Sequence, residues 1–234
     1  KGAYAYIASN QYFGKGNTSL IECNTFQSAF DKVIDGVADY GMIPIENSTA
    51  GRVADVHLLL KRKPLHIVAE LFLPIQHSLI VHPSATMQDI KTVYSHPQAL
   101  MQCEDNLYQN GLKRVATADT AGAVQIVAKE NDISMAAIAS KEAAEIYGLK
   151  ILNPSFQDFP HNATRFVVIA KEAKTPKFDN DCKYITTLIF DVKNESSALF
   201  QCLKAFSKNN INLLKLESYT DSNHFNIAHF YIDI

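Results

Sequence analysis

"HNATRFVVIA", His161 to Ala170, passes from polar to apolar inside one short stretch. Phe166-Val167-Val168-Ile169-Ala170 reads as a buried strand, aromatic and β-branched. Asn162, Thr164 and Arg165 lead directly into it, with no Gly- or Ser-rich turn between. An arginine beside a core is rarely buried without a partner. Arg165 therefore meets either an acid of the protein, for instance Glu46 or Asp158, or the carboxylate of a ligand. From the residues alone these two readings weigh equally.

Upstream of that strand, apolar periodicity alternates between strand and helix. Strands are expected over Tyr40–Ile45, Ile67–Pro74, Ser78–His82, Thr92–Tyr94 and Met135–Ala139. Helices are expected over Val53–Lys63, Pro97–Asn110, Thr120–Lys129 and Lys141–Tyr147. Pro97 suits a first turn, and Gly111 and Gly148 suit positions just past a helix end. Such alternation implies an α/β domain with a largely parallel sheet. Downstream, "KEAKTPKFDNDCK" (171–183) is polar, holds Pro176 and shows no period, so it reads as a linker, set at 173–183. "YITTLIFDV", an amphipathic "SSALFQCLKAFSKNN", "INLLKLESYT" and "HFNIAHFYIDI" then form a β-α-β-β unit over 184–234. A second helix and a strand would complete a split βαβ fold, so this unit is expected to be C-terminally cropped.

Composition narrows the function classes. The chain has 234 residues, 47% hydrophobic, enough for real cores in one large domain or two small ones. A net charge of −2 and no basic stripe argue against nucleic acid. No run of 18 apolar residues argues for a membrane span, and residues 1–20 hold no signal-peptide core. Four scattered cysteines with no C-x-x-C fit reduced thiols in the cytoplasm better than disulfides or zinc.

Polar clusters at strand ends are where open α/β sheets hold ligands. In "PIENSTAGR" (44–52), Glu46, Asn47 and Ser48 precede a helix whose N–H groups suit a carboxylate or phosphate. The same pattern also describes an ordinary helix cap. In "YSHPQALMQC" (94–103), Ser95 or His96 caps a helix and Gln98 and Gln102 share a face. His96 is a proton donor near neutral pH or a cap pointing into water. In "HNATRF", Asn162 offers donor and acceptor, Thr164 a hydroxyl and Arg165 a fork for a carboxylate. No P-loop, G-x-G-x-x-G, H-E-x-x-H or G-x-S-x-G is present. A cofactor-free reaction on a small anion survives, with pure ligand binding as competitor.

Together these clusters closely resemble the prephenate dehydratases. The matching residues are Pro44-Ile45-Glu46-Asn47-Ser48 with Gly51, Ser95-His96-Pro97-Gln98-Ala99 with Gln102-Cys103, "AAIAS" (136–140), "AAEIYGL" (143–149), and Asn162-Ala163-Thr164-Arg165-Phe166. The resemblance covers nearly the whole chain. It implies an α/β, two-lobed catalytic region like the type 2 periplasmic binding proteins, followed by an incomplete α+β ferredoxin-like ACT domain. The catalytic region would be 1–172, with one lobe of 1–77 plus 161–172 and the other of 78–160. The ACT regulatory domain would be 184–234. The chain would cross between lobes near Pro74-Ile75-Gln76 and near His161, and the cleft would close over substrate.

The resemblance implies a hydro-lyase that decarboxylates and dehydrates prephenate to phenylpyruvate in L-phenylalanine biosynthesis, without cofactor or metal. Thr164 would be catalytic, stabilising the departing hydroxyl by hydrogen bond rather than full proton transfer. Arg165 would hold a carboxylate or fix the strand's polar end. Phe166 would cover the ring, and Asn162, Asn47, Ser48, Ser95, His96 and Gln98 would line the substrate, with Glu46 anchoring behind them. Ser197-Ala198-Leu199 and Glu217-Ser218 would mark an L-phenylalanine effector site. Here Ser197 replaces the family's Gly, and Tyr219-Thr220 its Arg-Pro, so phenylalanine is expected to bind weakly. Ala5 stands where the family has a Ser, and the first strand is expected before Lys1. A homodimer or homotetramer is expected. The competing readings are an arogenate dehydratase, a non-catalytic solute receptor and a purely regulatory protein.

Overall fold

The computed structural model describes residues 1–193, 195–221 and 224–234, with the side chains of all but 220–221 and 224–227. Helix α1 (Tyr4–Phe13) comes first, then α2 (Phe26–Ile34), whose first turn is capped by the Thr25 hydroxyl. Strands β1 (Gly41–Asn47), β2 (Gly51–Arg52) and β3 (His66–Pro74) follow, with α3 (Ala54–Arg62) crossing from β2 to β3. The chain then builds β4 (Ser78–Val81), β5 (Thr92–Ser95), α4 (Pro97–Met101), α5 (Glu104–Gln109), β6 (Lys113–Ala116), α6 (Thr120–Glu130), β7 (Met135–Ala139), α7 (Lys141–Tyr147) and β8 (Lys150–Asn153). It returns in β9 (Ala163–Ala170), and after an exposed segment ends in β10 (Thr187–Asp191), α8 (Ala198–Lys208), β11 (Lys215–Asp221) and β12 (His224–Asp233).

Three sheets result. The first runs β2-β1-β9-β3, the second β6-β5-β7-β4-β8, the third β10-β12-β11. The expectation of a largely parallel sheet is corrected here. β9 is antiparallel to both of its neighbours, β1 and β3. β4 is likewise antiparallel to β7 and β8, while β5 runs parallel to β6 and β7. Helix crossovers make the parallel relations; the two strands that pass from one sheet to the other insert against that direction. Local periodicity marks a strand but says nothing about which neighbours it will lie between.

A second correction concerns the helix expected over Pro97–Asn110. It breaks after Met101, and α5 begins at Glu104. The fully buried Cys103 sits at φ −123°, ψ 20°, outside helical geometry. Asp158 stabilises the break. Its carboxylate accepts from the Asp105 and Asn106 N–H groups at 3.0 and 3.1 Å, where the first turn of α5 needs acceptors. Asp158 is therefore a cap and not the partner of Arg165.

In β9 every residue from Thr164 to Ala170 is buried. Val167 and Ile169 share one face with Ile43 and Ile45 of β1, Phe30 and Val33 of α2 and Val56 of α3. Phe166 lies on the other face with Ala8, Leu73 and Ile75, under α1. The third sheet is a split βαβ arrangement, with β12 between β10 and β11. It lies on the Val167 face of sheet one, where Tyr219 and Tyr231 join that core and Tyr231 meets the His57 ring edge-on at 4.5 Å.

Candidate active site

A bulge in β1 between Pro44 and Glu46 sets the register that matters. It brings Asn47 opposite Thr164 and Glu46 opposite Arg165. Asn47 then turns the chain: its Oδ1 accepts from the Thr49 and Ala50 N–H groups at 3.0 and 2.9 Å, an Asx-type turn. With Oδ1 fixed by backbone donors, Nδ2 must face the other way. It donates to Asn162 Oδ1 at 2.7 Å and to Thr164 Oγ1 at 2.9 Å. Asn162 Nδ2 in turn donates to Gln102 Oε1 at 3.1 Å, and Gln102 Nε2 donates to Thr49 Oγ1 at 2.8 Å. Five side chains, Asn47, Thr49, Gln102, Asn162 and Thr164, from the ends of β1, α4 and β9 thus form one amide and hydroxyl cluster. Thr164 Oγ1 is an acceptor in it, and its own hydrogen meets no acceptor among the described residues. That hydroxyl is left to donate to whatever enters.

Several other expected residues hold this cluster rather than extend it. Ser48 brackets Ala163: its N–H donates to Ala163 O, and its Oγ accepts from Ala163 N, both at 2.9 Å. Ser95 is fully buried, with its hydroxyl donating to Ile138 O at 2.6 Å inside sheet two. His96 caps α4, its Nδ1 accepting from Gln98 N at 3.2 Å, with the Gln98 side chain half-buried beyond it. His96 also lines an open cleft of about 1450 Å³ running beside β1 between α1, α2 and the start of α6. Among the residues expected at a substrate, His96 alone lines that cleft.

Arg165, Glu46 and Phe166 do not join the cluster. Successive residues of a strand point to opposite faces, so Thr164 and Arg165 cannot address one ligand together. Arg165 Nε donates to Glu70 at 2.7 Å and Nη1 donates to Asp233 of β12. Burial opposes its charge, but Asp233 and Glu70 more than offset this and hold the guanidinium above its usual pKa. Glu46 pairs with Lys215 of β11 at 2.8 Å. Phe166 is core packing beneath α1, and the Ala5 side chain lies in the same cluster. Of the two readings of Arg165, the structure has acids of the protein beside it, though neither Glu46 nor Asp158 is one of them.

Two residues of the site are not apparent as such in the sequence. Gln102, a motif residue read only as part of a helix face, reaches Asn162 from the last turn of α4, its N–H still donating to Gln98 O at 3.1 Å. His77 is 2% exposed, and its Nε2 meets Gln102 Oε1 at 2.7 Å while its Nδ1 meets the Tyr4 hydroxyl at 2.8 Å. Burial lowers its pKa, and the bond to Gln102 works weakly the other way. Cys103 nearby is no nucleophile, since burial and then Asp158 push its thiol pKa far up. Among the described residues no group of three His, Cys, Asp or Glu could hold a metal ion.

In the C-terminal unit, Ser197 adopts φ 66° just before α8, the left-handed region that favours glycine. Ala198 and Leu199 form the first turn of α8. Glu217 pairs with Lys215 at 3.1 Å, and the Ser218 carbonyl accepts from Arg52 at 3.5 Å.

Comparison with known proteins agrees with this architecture. The family model for prephenate dehydratase matches residues 1–174. A prephenate dehydratase of Methanocaldococcus jannaschii is 38% identical over 237 residues, covering all of this chain and 85% of that one. An arogenate dehydratase/prephenate dehydratase of Arabidopsis thaliana is 41% identical over 217 residues, covering 93% of this chain but 54% of its own. The crystal structure of prephenate dehydratase from Arthrobacter aurescens, in complex with L-Phe, superposes with a TM-score of 0.88 at 26% identity, covering all of this chain and 77% of that one. The chain spans about half the length of the plant relatives it matches.

Proposed function

The chain belongs to the prephenate dehydratase family, and from that premise we propose that it converts prephenate to phenylpyruvate, the step that commits carbon to L-phenylalanine. The carbon–carbon bond to the ring carboxylate breaks and releases carbon dioxide. Its electron pair enters the ring, and the carbon–oxygen bond at the opposite position breaks. The departing hydroxide takes a proton and leaves as water. Aromatisation drives the reaction, so no cofactor is required.

The observation that carries this reading is the Asn47–Thr164 hydrogen bond at 2.9 Å. It fills a lone pair of Thr164 Oγ1 and leaves its hydrogen directed elsewhere. Donated to the leaving oxygen, that hydrogen stabilises charge as it develops. Asn47, Asn162 and Gln102 are neutral, so the site works through aligned amide dipoles rather than net charge. A carboxylate held against such groups is poorly solvated, which favours its loss as carbon dioxide. Ser48 keeps Asn162 and Thr164 in register. The catalytic region is 1–172, with 1–77 plus 161–172 as one lobe and 78–160 as the other. The unit from 184 is an ACT domain. L-phenylalanine, the ligand in the Arthrobacter aurescens relative, is its effector, weakened by Ser197. The protein is a cytoplasmic homodimer or homotetramer on this reading.

The test is turnover of prephenate and of arogenate by the protein, followed as phenylpyruvate and as phenylalanine. We expect prephenate to be consumed with the higher kcat/KM. A preference for arogenate would reassign the substrate, and inertness toward both would overturn the dehydratase reading.

A further inference from the structure

Resting on that reading, we infer that His77 is a positioning residue: its imidazole N–H locks the Gln102 carboxamide and thereby the orientation of every amide around Thr164. The argument begins at two backbone donors. Thr49 N–H and Ala50 N–H fix Asn47 Oδ1, so Asn47 Nδ2 faces Asn162 and Thr164. Asn162 must then present its oxygen to Asn47 and its Nδ2 to Gln102. Gln102 must answer with its oxygen, and the same oxygen lies 2.7 Å from His77 Nε2. Nε2 therefore carries a hydrogen. In the neutral ring Nδ1 is a bare lone pair, and the Tyr4 hydroxyl at 2.8 Å supplies its donor. Tyr4 has one hydroxyl hydrogen and two acceptors at 2.8 Å, Nδ1 and the Gln76 carbonyl; with the ring hydrogen on Nε2, donating to Nδ1 withdraws it from that carbonyl. The Tyr4 ring packs edge-on against the imidazole, with ring centroids 5.6 Å apart.

The imidazole itself is held rigidly. The His77 N–H donates to Gln157 Oε1 at 3.0 Å, and its carbonyl accepts from Phe156 N–H at 2.7 Å. A ring fixed at backbone, Nδ1 and Nε2 cannot swing away, so Gln102 has one stable rotamer. Without that hydrogen bond Gln102 Oε1 loses a donor, and the amide is free to invert. An inverted Gln102 would set its NH₂ against the NH₂ of Asn162. The disturbance reaches Thr164 through Asn162 and Asn47.

Two measurements on the protein test this. Imidazole nitrogen NMR near neutral pH should find His77 neutral with its hydrogen on Nε2; a hydrogen on Nδ1 overturns the assignment, whatever the substrate proves to be. Steady-state kinetics should then compare His77→Leu with His77→Gln, whose amide nitrogen occupies nearly the place of Nε2 and can donate to Gln102. His77→Leu should lose about tenfold to a hundredfold in kcat with KM little changed, the penalty for one unsatisfied buried acceptor. His77→Gln should recover most of it. Equal losses in the two variants, or none in either, would overturn the positioning role. If His77→Leu does not fold, the near-normal kcat of His77→Gln carries the test, and a severe loss there overturns it. A wild type inert toward prephenate defeats the function but leaves the NMR result to decide on His77.

Discussion

Thr164 and Arg165 are neighbours in the chain and face opposite sides of one sheet. Thr164 looks to an amide cluster, Arg165 to Glu70 and Asp233. Their substitutions should separate cleanly. Thr164→Val keeps shape and β-branching and removes only the hydroxyl. Its kcat should fall by roughly 10² to 10³, as for loss of a single oxyanion donor, with the melting temperature nearly unchanged. Near-normal turnover in Thr164→Val would remove the central role from this residue. Arg165→Lys replaces a fork that spans two acids with a point charge. It should destabilise by roughly 1–3 kcal/mol in urea unfolding while prephenate KM stays close to wild type. A large rise in KM without loss of stability would return Arg165 to the substrate. Asn47, Asn162 and Thr164 are legible together because their motifs match a family pattern. The direction of Arg165 is not, since its partners Glu70 and Asp233 lie 95 and 68 residues away.

At the scale of elements, the break between α4 and α5 falls just after Gln102, at Cys103. Gln102 itself keeps the helical bond, its N–H donating to Gln98 O at 3.1 Å. It closes α4, and its side chain reaches Thr49 and Asn162. Asp158 secures this twice, capping α5 with its carboxylate and donating its own N–H to Gln102 O at 2.9 Å. Asp158→Ala should cost about 1 kcal/mol of stability, the usual value of a cap, and should lower kcat as well. Thermal melts and steady-state rates check the pair; an unchanged kcat would show that Gln102 does not depend on the cap. The sequence offers a continuous helical period from Pro97 to Asn110 and no breaker inside it. The competing acceptor lies 53 and 52 residues downstream of the two N–H groups it caps, so local propensity could not reveal it. Strands β1, β3, β4, β5, β7 and β9, helices α3, α6 and α7 and the C-terminal β-α-β-β unit are legible because their periods are local, whereas α1, α2, β2, β6 and β8 are not among the elements expected from the sequence. The antiparallel insertion of β4 and β9 is set by long-range pairing alone.

Across the whole molecule, the C-terminal sheet is bolted to sheet one by charge as well as by apolar contact. Lys215 and Asp233 are cross-strand partners in one sheet, and they meet Glu46 and Arg165, cross-strand partners in the other. Asp233 is 2% exposed and Arg165 7%. Removing one member of a buried pair leaves the other charge without its complement. Asp233→Asn should therefore cost roughly 3 kcal/mol, with Glu70 softening the loss. Urea unfolding measures it, and a change within error would mean that the contact does not hold the units together.

The two passages between sheets one and two do not run as separate tethers. Ile75 N–H donates to Asn162 O at 2.8 Å, and Phe156 N–H donates to His77 O at 2.7 Å, so the outgoing and returning chains lie side by side as a bonded ribbon. A ribbon of that kind bends like a leaf spring and resists shear. Rocking one sheet against the other loads the strip that bears Asn162 and His77. The two residues that carry these backbone bonds, Asn162 and His77, are also the ones whose side chains meet Gln102, so the strip and the amide cluster share their anchors.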